Sequence, residues 1–292
     1  MKPSQLFSVC IGLLLLALPF GLQAKNSLLT DADLIRMHQA GTPDNHVIST
    51  IKKAGTVDFA LDAADLAAMK KAGVSQKVAL AAVEAEANQG DAQAENVLGV
   101  LYAVGKQVPK NPAEARSWLQ KAASQGLAQA SYNLGMLNAQ GIGVAADFHR
   151  ALALFQQASK QGYAPADFTL GMMYSSGIGV PWDDAKAADY FRKAAREGDP
   201  RAEFLLAQCY VSGTGVDQNF TKAYVWYSLA ADRGLQAAAH DRDALARHMM
   251  KSNVEKAKAL AVQYVAKMMP GQTKEKLLPS RLPPKELKPK AG

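Results

Sequence analysis

A 36-residue period runs through the middle of this chain, with no insertion in four successive copies. Gly105, Gly141, Gly177 and Gly213 mark one phase, and Gly126, Gly162, Gly198 and Gly234 mark another, which Gly90 extends backwards. Three alanine series keep step: Ala94, Ala130, Ala166 and Ala202; Ala115, Ala151, Ala187 and Ala223; Ala122, Ala158, Ala194 and Ala230. A unit of this length is one supersecondary motif, too small to bury its own apolar face. It must stack on its neighbours, and the product is a solenoid.

Each unit reads as two helices. In the third copy Ala166, Leu170 and Tyr174 recur at every fourth residue of 164–175, which sets them on one face of a first, or A, helix. Gly99, Gly135, Gly171 and Ala207 follow its central leucine. A minimal side chain there lets a second helix approach closely, and packing offsets glycine's helix penalty of about 1 kcal/mol. The B helix should start after Asn111, Asp147, Asp183 and Asn219, whose side-chain oxygens can take free backbone N–H groups. Pro112 suits a first helical position. In the third copy the B helix carries Ala187, Tyr190, Phe191 and Ala194 on its apolar face and ends at Gly198 as a left-handed cap.

Between the two helices lie Gly105 and the pairs Gly141/Gly143, Gly177/Gly179 and Gly213/Gly215. A dinucleotide-binding loop would need a preceding strand and a third glycine at position 182, where Trp182 stands. The glycines read as turn residues with positive φ. Gln107, in place of the second glycine in the first copy, also favours geometry over chemistry.

These residues resemble the Sel1-like repeat, a relative of the tetratricopeptide repeat. The third copy follows that family's pattern at Ala166, Leu170-Gly171, Tyr174, Gly177-Ile178-Gly179-Val180, Asp183, Lys186-Ala187, Tyr190, Ala194-Ala195 and Gly198. Asn138 replaces the tyrosine in the second copy, and Ala207 the glycine in the fourth. The resemblance implies an all-α fold: a right-handed α/α superhelical solenoid of four repeats, 91–126, 127–162, 163–198 and 199–234. The segment 235–269, with Asp241-Arg242-Asp243-Ala244-Leu245-Ala246, resembles the helical pair that ends such arrays. A capping box of Ser252 and Glu255 should open its last helix. The resemblance also implies a non-enzymatic protein-binding scaffold, often of bacterial envelopes.

The chain's ends point to the same compartment. Lys2 precedes an apolar run from Leu6 to Phe20, and Leu22-Gln23-Ala24 offers a cleavage site. Residues 1–24 read as a secretory signal peptide cleaved after Ala24, and the expected location is periplasmic or secreted. Cys10 leaves with that segment, so Cys209 stands alone and no internal disulfide forms. Cys209 aligns with Leu101, Leu137 and Met173 and reads as a core thiol. The formal net charge is +7. Residues 270–292 hold six cations, two acids and five prolines, and read as a disordered basic tail. It offers weak contact with anionic membrane or cell-wall polymer. The body lacks the basic stripe with aromatic platforms of a nucleic-acid binder, so no nucleic-acid partner is expected.

Residues 28–89 form a separate helical module, internally doubled. Leu29, Asp33, Leu34, Met37, Ala40 and Gly41 recur 32 residues later as Leu61, Asp65, Leu66, Met69, Ala72 and Gly73. Thr30 and Asp33 have capping-box spacing, Pro43 opens the second helix, and Ser75 caps the fourth. Its A-G-V-S-x-x-V ending resembles a small unit of bacterial envelope proteins. With its last helix ending at Gly90, the module reads as an N-terminal cap over the solenoid's exposed apolar end.

Catalytic patterns are sparse. Ser49-Thr50-Ile51-Lys52 fits S-x-x-K, and some relatives of the resembled family are linked with penicillin binding, but S-D-N and K-T-G partners are missing. His240 and His248 lie eight apart without a third ligand. No cofactor, metal or enzymatic activity is expected; a cell-wall or β-lactam hydrolase is the enzymatic alternative, and a secreted effector binding a host protein the non-enzymatic one.

The candidate partner-binding groove follows from the alignment of Leu98, Leu134, Leu170 and Leu206, because A helices line the concave side in tetratricopeptide-like arrays. One row is Asn96, Tyr132, Phe168 and Phe204; a second is Val100, Met136, Met172 and Gln208; Gln140, Ser176 and Ser212 rim them. Aromatic and methionine side chains suit an apolar helix or extended peptide of a protein partner. The competing reading of the first row is packing between repeats.

Overall fold

The computed structural model describes residues 28–59, 68–105 and 108–268. The signal-peptide reading, the disordered-tail reading, Gln107, and Leu61, Asp65 and Leu66 of the N-terminal doubling lie outside the described residues. The chain divides into two compact units, one ending at Ala122 and the other beginning at Ala123.

The first unit holds β1 (Leu29–Thr30), α1 (Asp31–Gln39), α2 (Asp44–Lys53), β2 (Val57–Asp58), α3 (Gln76–Asn88), α4 (Ala92–Val104) and most of α5 (Pro112–Ser124). Asp33 folds back so that its carboxylate accepts from the Thr30 N–H at 3.0 Å and the Thr30 hydroxyl at 2.8 Å. Ser75 accepts from the Val78 N–H at 3.3 Å. The helical reading of this module needs one correction, since β1 and β2 pair in parallel with Leu29 opposite Val57. The Gln89 side chain accepts from the Val57 N–H and the Glu86 carboxylate from the Phe59 N–H. Backbone groups left open by a two-residue ladder are thus satisfied from α3. The unit's core gathers Leu34, Val47, Ile51, Met69, Val78 and Leu98.

The internal doubling survives as two matching turns. Gly41 and Gly73 have φ of 75° and 87°. Thr42 N–H donates to Met37 and Val74 N–H to Met69, both at 3.0 Å. These are 6→1 bonds of left-handed helix caps. The same bond closes the α3–α4 turn, from Asp91 to Glu86 at 3.2 Å. It recurs between repeats from Tyr163 to Ala158, Asp199 to Ala194 and Leu235 to Ala230. α3 therefore stands before α4 as a B helix stands before an A helix.

The second unit holds α6 (Ala128–Gln140), α7 (Phe148–Lys160), α8 (Ala164–Ser176), α9 (Asp184–Arg196), α10 (Pro200–Ser212), α11 (Phe220–Asp232), α12 (Gln236–His248) and α13 (Lys251–Met268). Among the described residues of 91–268 there is no strand. Each repeat is an A–B helix pair, making an all-α solenoid. All four B-helix caps form: Asn111 accepts from the N–H of Ala113 and Glu114, Asp147 from Arg150, Asp183 from Lys186 and Asn219 from Lys222. The cap residue's own N–H returns to the A helix in every copy, from Asn111 to Tyr102, Asp147 to Asn138, Asp183 to Tyr174 and Asn219 to Tyr210, at 2.8–3.0 Å. One backbone bond thus fixes the A–B turn four times.

The glycine or alanine after the A-helix leucine is set by a B-helix side chain. A Cβ at Gly135 would lie 2.6 Å from the Phe155 ring, and one at Gly171 2.6 Å from the Phe191 ring. Past the last repeat, α12 and α13 pack on α11. Tyr264 meets Trp226 edge-on at 5.1 Å, and Ala257 and Ala261 join the core that holds Trp226, Tyr227 and Leu229. The expected cap of the last helix is corrected. α13 begins at Lys251, and the N–H groups of Asn253 and Val254 donate to the Met250 carbonyl. Ser252 is already inside the helix, while Glu255 pairs with Lys258 at 2.8 Å.

Candidate functional site

The A helices leave one face open. In the second unit this face carries the two proposed rows, and they differ in character. The first row is partly spent on packing. Tyr132 lies 5.4 Å from Phe155 and 5.3 Å from Tyr163, Phe168 6.2 Å from Phe191, and Phe204 5.6 Å from Tyr227. Each ring rests one side on its own B helix and stays half-buried. Neighbouring repeats are laced at this level: Tyr132 and Thr169 hydroxyls meet at 3.4 Å, and the Arg201 guanidinium lies 4.2 Å over the Phe168 ring. Arg201 is itself held by the Asp199 carboxylate at 2.7 Å.

The second row is more open. Met172 is 43% exposed, and Gln208 is exposed. Met136 is half-buried, packed toward Phe155, Leu170 and Met173. The rim residues Gln140, Ser176 and Ser212 are exposed. The Ser176 and Ser212 hydroxyls also donate to carbonyls one turn back, Met172 at 2.6 Å and Gln208 at 3.0 Å. In the first unit the arrangement departs from the expected row. Asn96 is only 2% exposed and belongs to the interior, whereas Val100 is half-buried.

The turn glycines are conformational. Gly105, Gly141, Gly143, Gly177, Gly179, Gly213 and Gly215 have φ between 66° and 77°. The second glycine of a pair does more than turn the chain. A Cβ on Gly215 would stand 2.1 Å from the Asp184 carbonyl oxygen, and one on Gly179 2.5 Å from the Phe148 Cβ. Each turn is thus seated against the first residues of the preceding repeat's B helix.

Pattern reading missed a buried polar position. Glu95, Ser131, Asp167 and Glu203 are 4%, 0%, 4% and 0% exposed. The signal was present, since these four also lie 36 apart, directly after the alanines at 94, 130, 166 and 202. Asp167 accepts from the Ser159 hydroxyl at 2.6 Å, tying the A helix to the end of the previous B helix. Burial raises its pKa. Glu203 accepts from Arg233 Nε at 3.1 Å, while its second oxygen has no hydrogen-bond partner among the described residues. Burial pushes Glu203 up to about 7, although the Arg233 charge opposes it.

The remaining candidates stay apart. Ser49 is half-buried and Lys52 exposed on α2. His240 sits beside Asp241 at 3.1 Å on α12, and His248 is exposed at that helix's end. Cys209 is a free, partly buried thiol against the second unit's core, and burial raises its pKa. Among the described residues no group of three or more His, Cys, Asp or Glu could hold a metal, and no helix is long and apolar enough to cross a membrane.

Stacked helix pairs with one open A-helix face define a tetratricopeptide-like helical-repeat protein. The family model of the Sel1 repeat matches residues 92–127, 128–163, 164–199 and 200–235, and the chain is a Sel1-like repeat protein. Its structure is similar to c5321, a protective antigen of uropathogenic Escherichia coli with an SLR fold. Sequence identity is 25%, the match covers 82% of this chain and 49% of that one, and the TM-score is 0.62. It is also similar to a Sel1 repeat protein from Oxalobacter formigenes, with 26% identity, 73% and 59% coverage, and a TM-score of 0.55. The chain thus spans about half the length of the first of these relatives and 59% of the second. No curated protein sequence matches it. Sel1-repeat proteins are generally protein-interaction scaffolds, and their fold is typically non-catalytic.

Proposed function

We propose that this protein is a non-enzymatic scaffold of the bacterial periplasm, which holds a partner protein on the open face of its A helices and serves envelope machinery as a regulator or assembly factor. The observation that carries the reading is the stripe on α6, α8 and α10. Half-open rings at Tyr132, Phe168 and Phe204 run beside Met136, the exposed Met172 and the exposed Gln208. Arg201 is the charged residue within it, and it is neutralised by Asp199. Rings covered on one side and a pliable thioether are suited to anchoring an apolar helix or extended segment. Lys2, the apolar run 6–20 and Ala24 support export.

The test is photo-crosslinking in intact cells, with the chain carrying Met172→Glu and Gln208→Glu. Both positions are exposed, so the melting temperature should hold while partner crosslinks disappear. Crosslinks that persist at full strength would sink the groove. Cell fractionation and N-terminal sequencing of the mature chain test the compartment; a cytoplasmic protein starting at Met1 would overturn it.

A further inference from the structure

The B helix of the third repeat, α9, borders a cleft of about 450 Å3. Its floor is a pair of stacked rings, Tyr174 and Tyr190, with centroids 5.7 Å apart and planes at 9°. Lys186 Nζ lies 5.3 Å over the Tyr174 ring, and Lys193 Nζ 4.8 Å over Tyr190. Arg192, Arg196 and Asp189 complete the lining. Two of the four cations are engaged: Lys186 pairs with Asp183 at 3.0 Å, and Arg192 pairs with Asp189. Lys193 and Arg196, one turn apart, make no ion pair among the described residues. Two cations outside any ion pair thus line a concave surface, and Lys193 also acts at longer range on the buried Asp167, whose charged form it favours.

The repeat pattern does not require this cluster. Tyr174, Lys186 and Tyr190 occupy positions the motif itself supplies. Arg192, Lys193 and Arg196 occur together in the third copy alone, where the second copy has Gln156, Gln157 and Lys160 and the fourth Ser228, Leu229 and Asp232. The chemistry of the lining narrows the ligand. Each ring turns one face to the other ring and is approached by a lysine, so no ring platform stays open for a nucleic-acid base. Among the lining residues only the two tyrosines are aromatic and none is aliphatic, so the cleft has nothing to insert into a lipid surface.

We propose that this cleft binds an acidic segment of a protein partner, with carboxylates meeting Lys193 and Arg196 and the segment lying across the Tyr174–Tyr190 pair. The proposal rests on the scaffold reading and adds a second contact of opposite character, charged where the A-helix stripe is neutral. Charge-assisted contacts of this kind would give specificity and a fast, salt-dependent encounter.

The test is fluorescence anisotropy of the full chain with fluorescein-labelled octaglutamate, at low and at near-physiological salt. Binding should weaken with salt. Lys193→Ala with Arg196→Ala should cost about tenfold or more in affinity without moving the melting temperature, and Lys193→Arg with Arg196→Lys should retain it. Lys288→Ala with Lys290→Ala removes the same charge from the tail and should change affinity less than about twofold if the cleft is the site. Equal losses in the cleft and tail variants, or no binding of the peptide, would overturn the proposal. So would anionic phospholipid vesicles or single-stranded DNA that bind through Lys193 and Arg196 where the peptide does not. Met172→Glu with Gln208→Glu should leave octaglutamate binding unchanged, so the cleft and the A-helix stripe succeed or fail separately.

Discussion

Two glycines of similar φ, Gly177 at 68° and Gly215 at 71°, carry different demands. A Cβ on Gly177 would find only ordinary contacts, the nearest 3.6 Å away at Trp182. The cost of Gly177→Ala is then the left-handed backbone alone, about 1–2 kcal/mol, with more for Gly177→Val. Gly215→Ala adds a collision with the Asp184 carbonyl, which the repeats relieve only by moving apart. Its expected cost exceeds that of Gly177→Ala by about 1–3 kcal/mol in urea denaturation. Equal costs would show that the turn yields. Glu203 gives the second test at this scale. Burial pushes its folded pKa up to about 7, above the ordinary glutamate value of 4.5. The folded state thus holds the proton more tightly, and the associated stability is fully present below pH 4.5 and lost as pH rises through 7. Glu203→Gln keeps a neutral side chain throughout. Relative to this variant, the native protein should lose up to about 3 kcal/mol between pH 4.5 and pH 7.5. A pH-independent difference in melting temperature would show that Glu203 does not titrate in that range.

At the scale of elements, the B helices share one construction. An Asx side chain caps the first turn, and its backbone N–H bonds back to the A helix. Asp183→Ala should therefore cost about 1 kcal/mol, seen as a lower midpoint in chemical denaturation. Ser252→Ala should be near neutral, because α13 starts before Ser252. The reversed order of these effects would mean that the last helix begins where its capping-box spacing suggests. Asp91 and Asp199 cap α4 and α10, but the other two A helices, α6 and α8, have weaker starts: Leu127 and Tyr163 stand at their N-caps with no side-chain bond. Their position comes from the backbone turn that precedes them and from packing on the B helix.

In the whole molecule, stability passes between neighbours. The core of the last repeats runs from Tyr174 through Trp226 to Ala261 in one cluster. α11 is buried from Ala223 to Ala230 because α12 and α13 cover the face that no fifth repeat covers. A chain ended at Met249 should expose Trp226. Amide exchange should then accelerate strongly in α10 and α11 and little in α6 and α7, since coupling in a solenoid falls off repeat by repeat. Uniform acceleration across 128–232 would instead mean that the unit unfolds as one body.

The repeat, its two helices, the B-helix caps and the turn glycines were legible in the amino-acid sequence, because each rests on local chemistry that recurs in phase. Ala94 and its equivalents, or Asp183 and its equivalents, announce themselves at any one position and are repeated at 36-residue intervals. The β1–β2 pair was not legible, since its stability depends on Glu86 and Gln89 arriving from α3. Nor did spacing separate Phe168 from Met172. They lie one helical turn apart on the same stripe, yet only the approach of Phe191 decides that the first is half-buried while the second stands open. The charge cluster on α9 was visible as residues but not as a cleft. Its lining is completed by Tyr174, which comes from the A helix and stacks on Tyr190. Periodicity reports which residues share a face. Which of them water still reaches is decided by the side chains that meet that face from elsewhere in the chain.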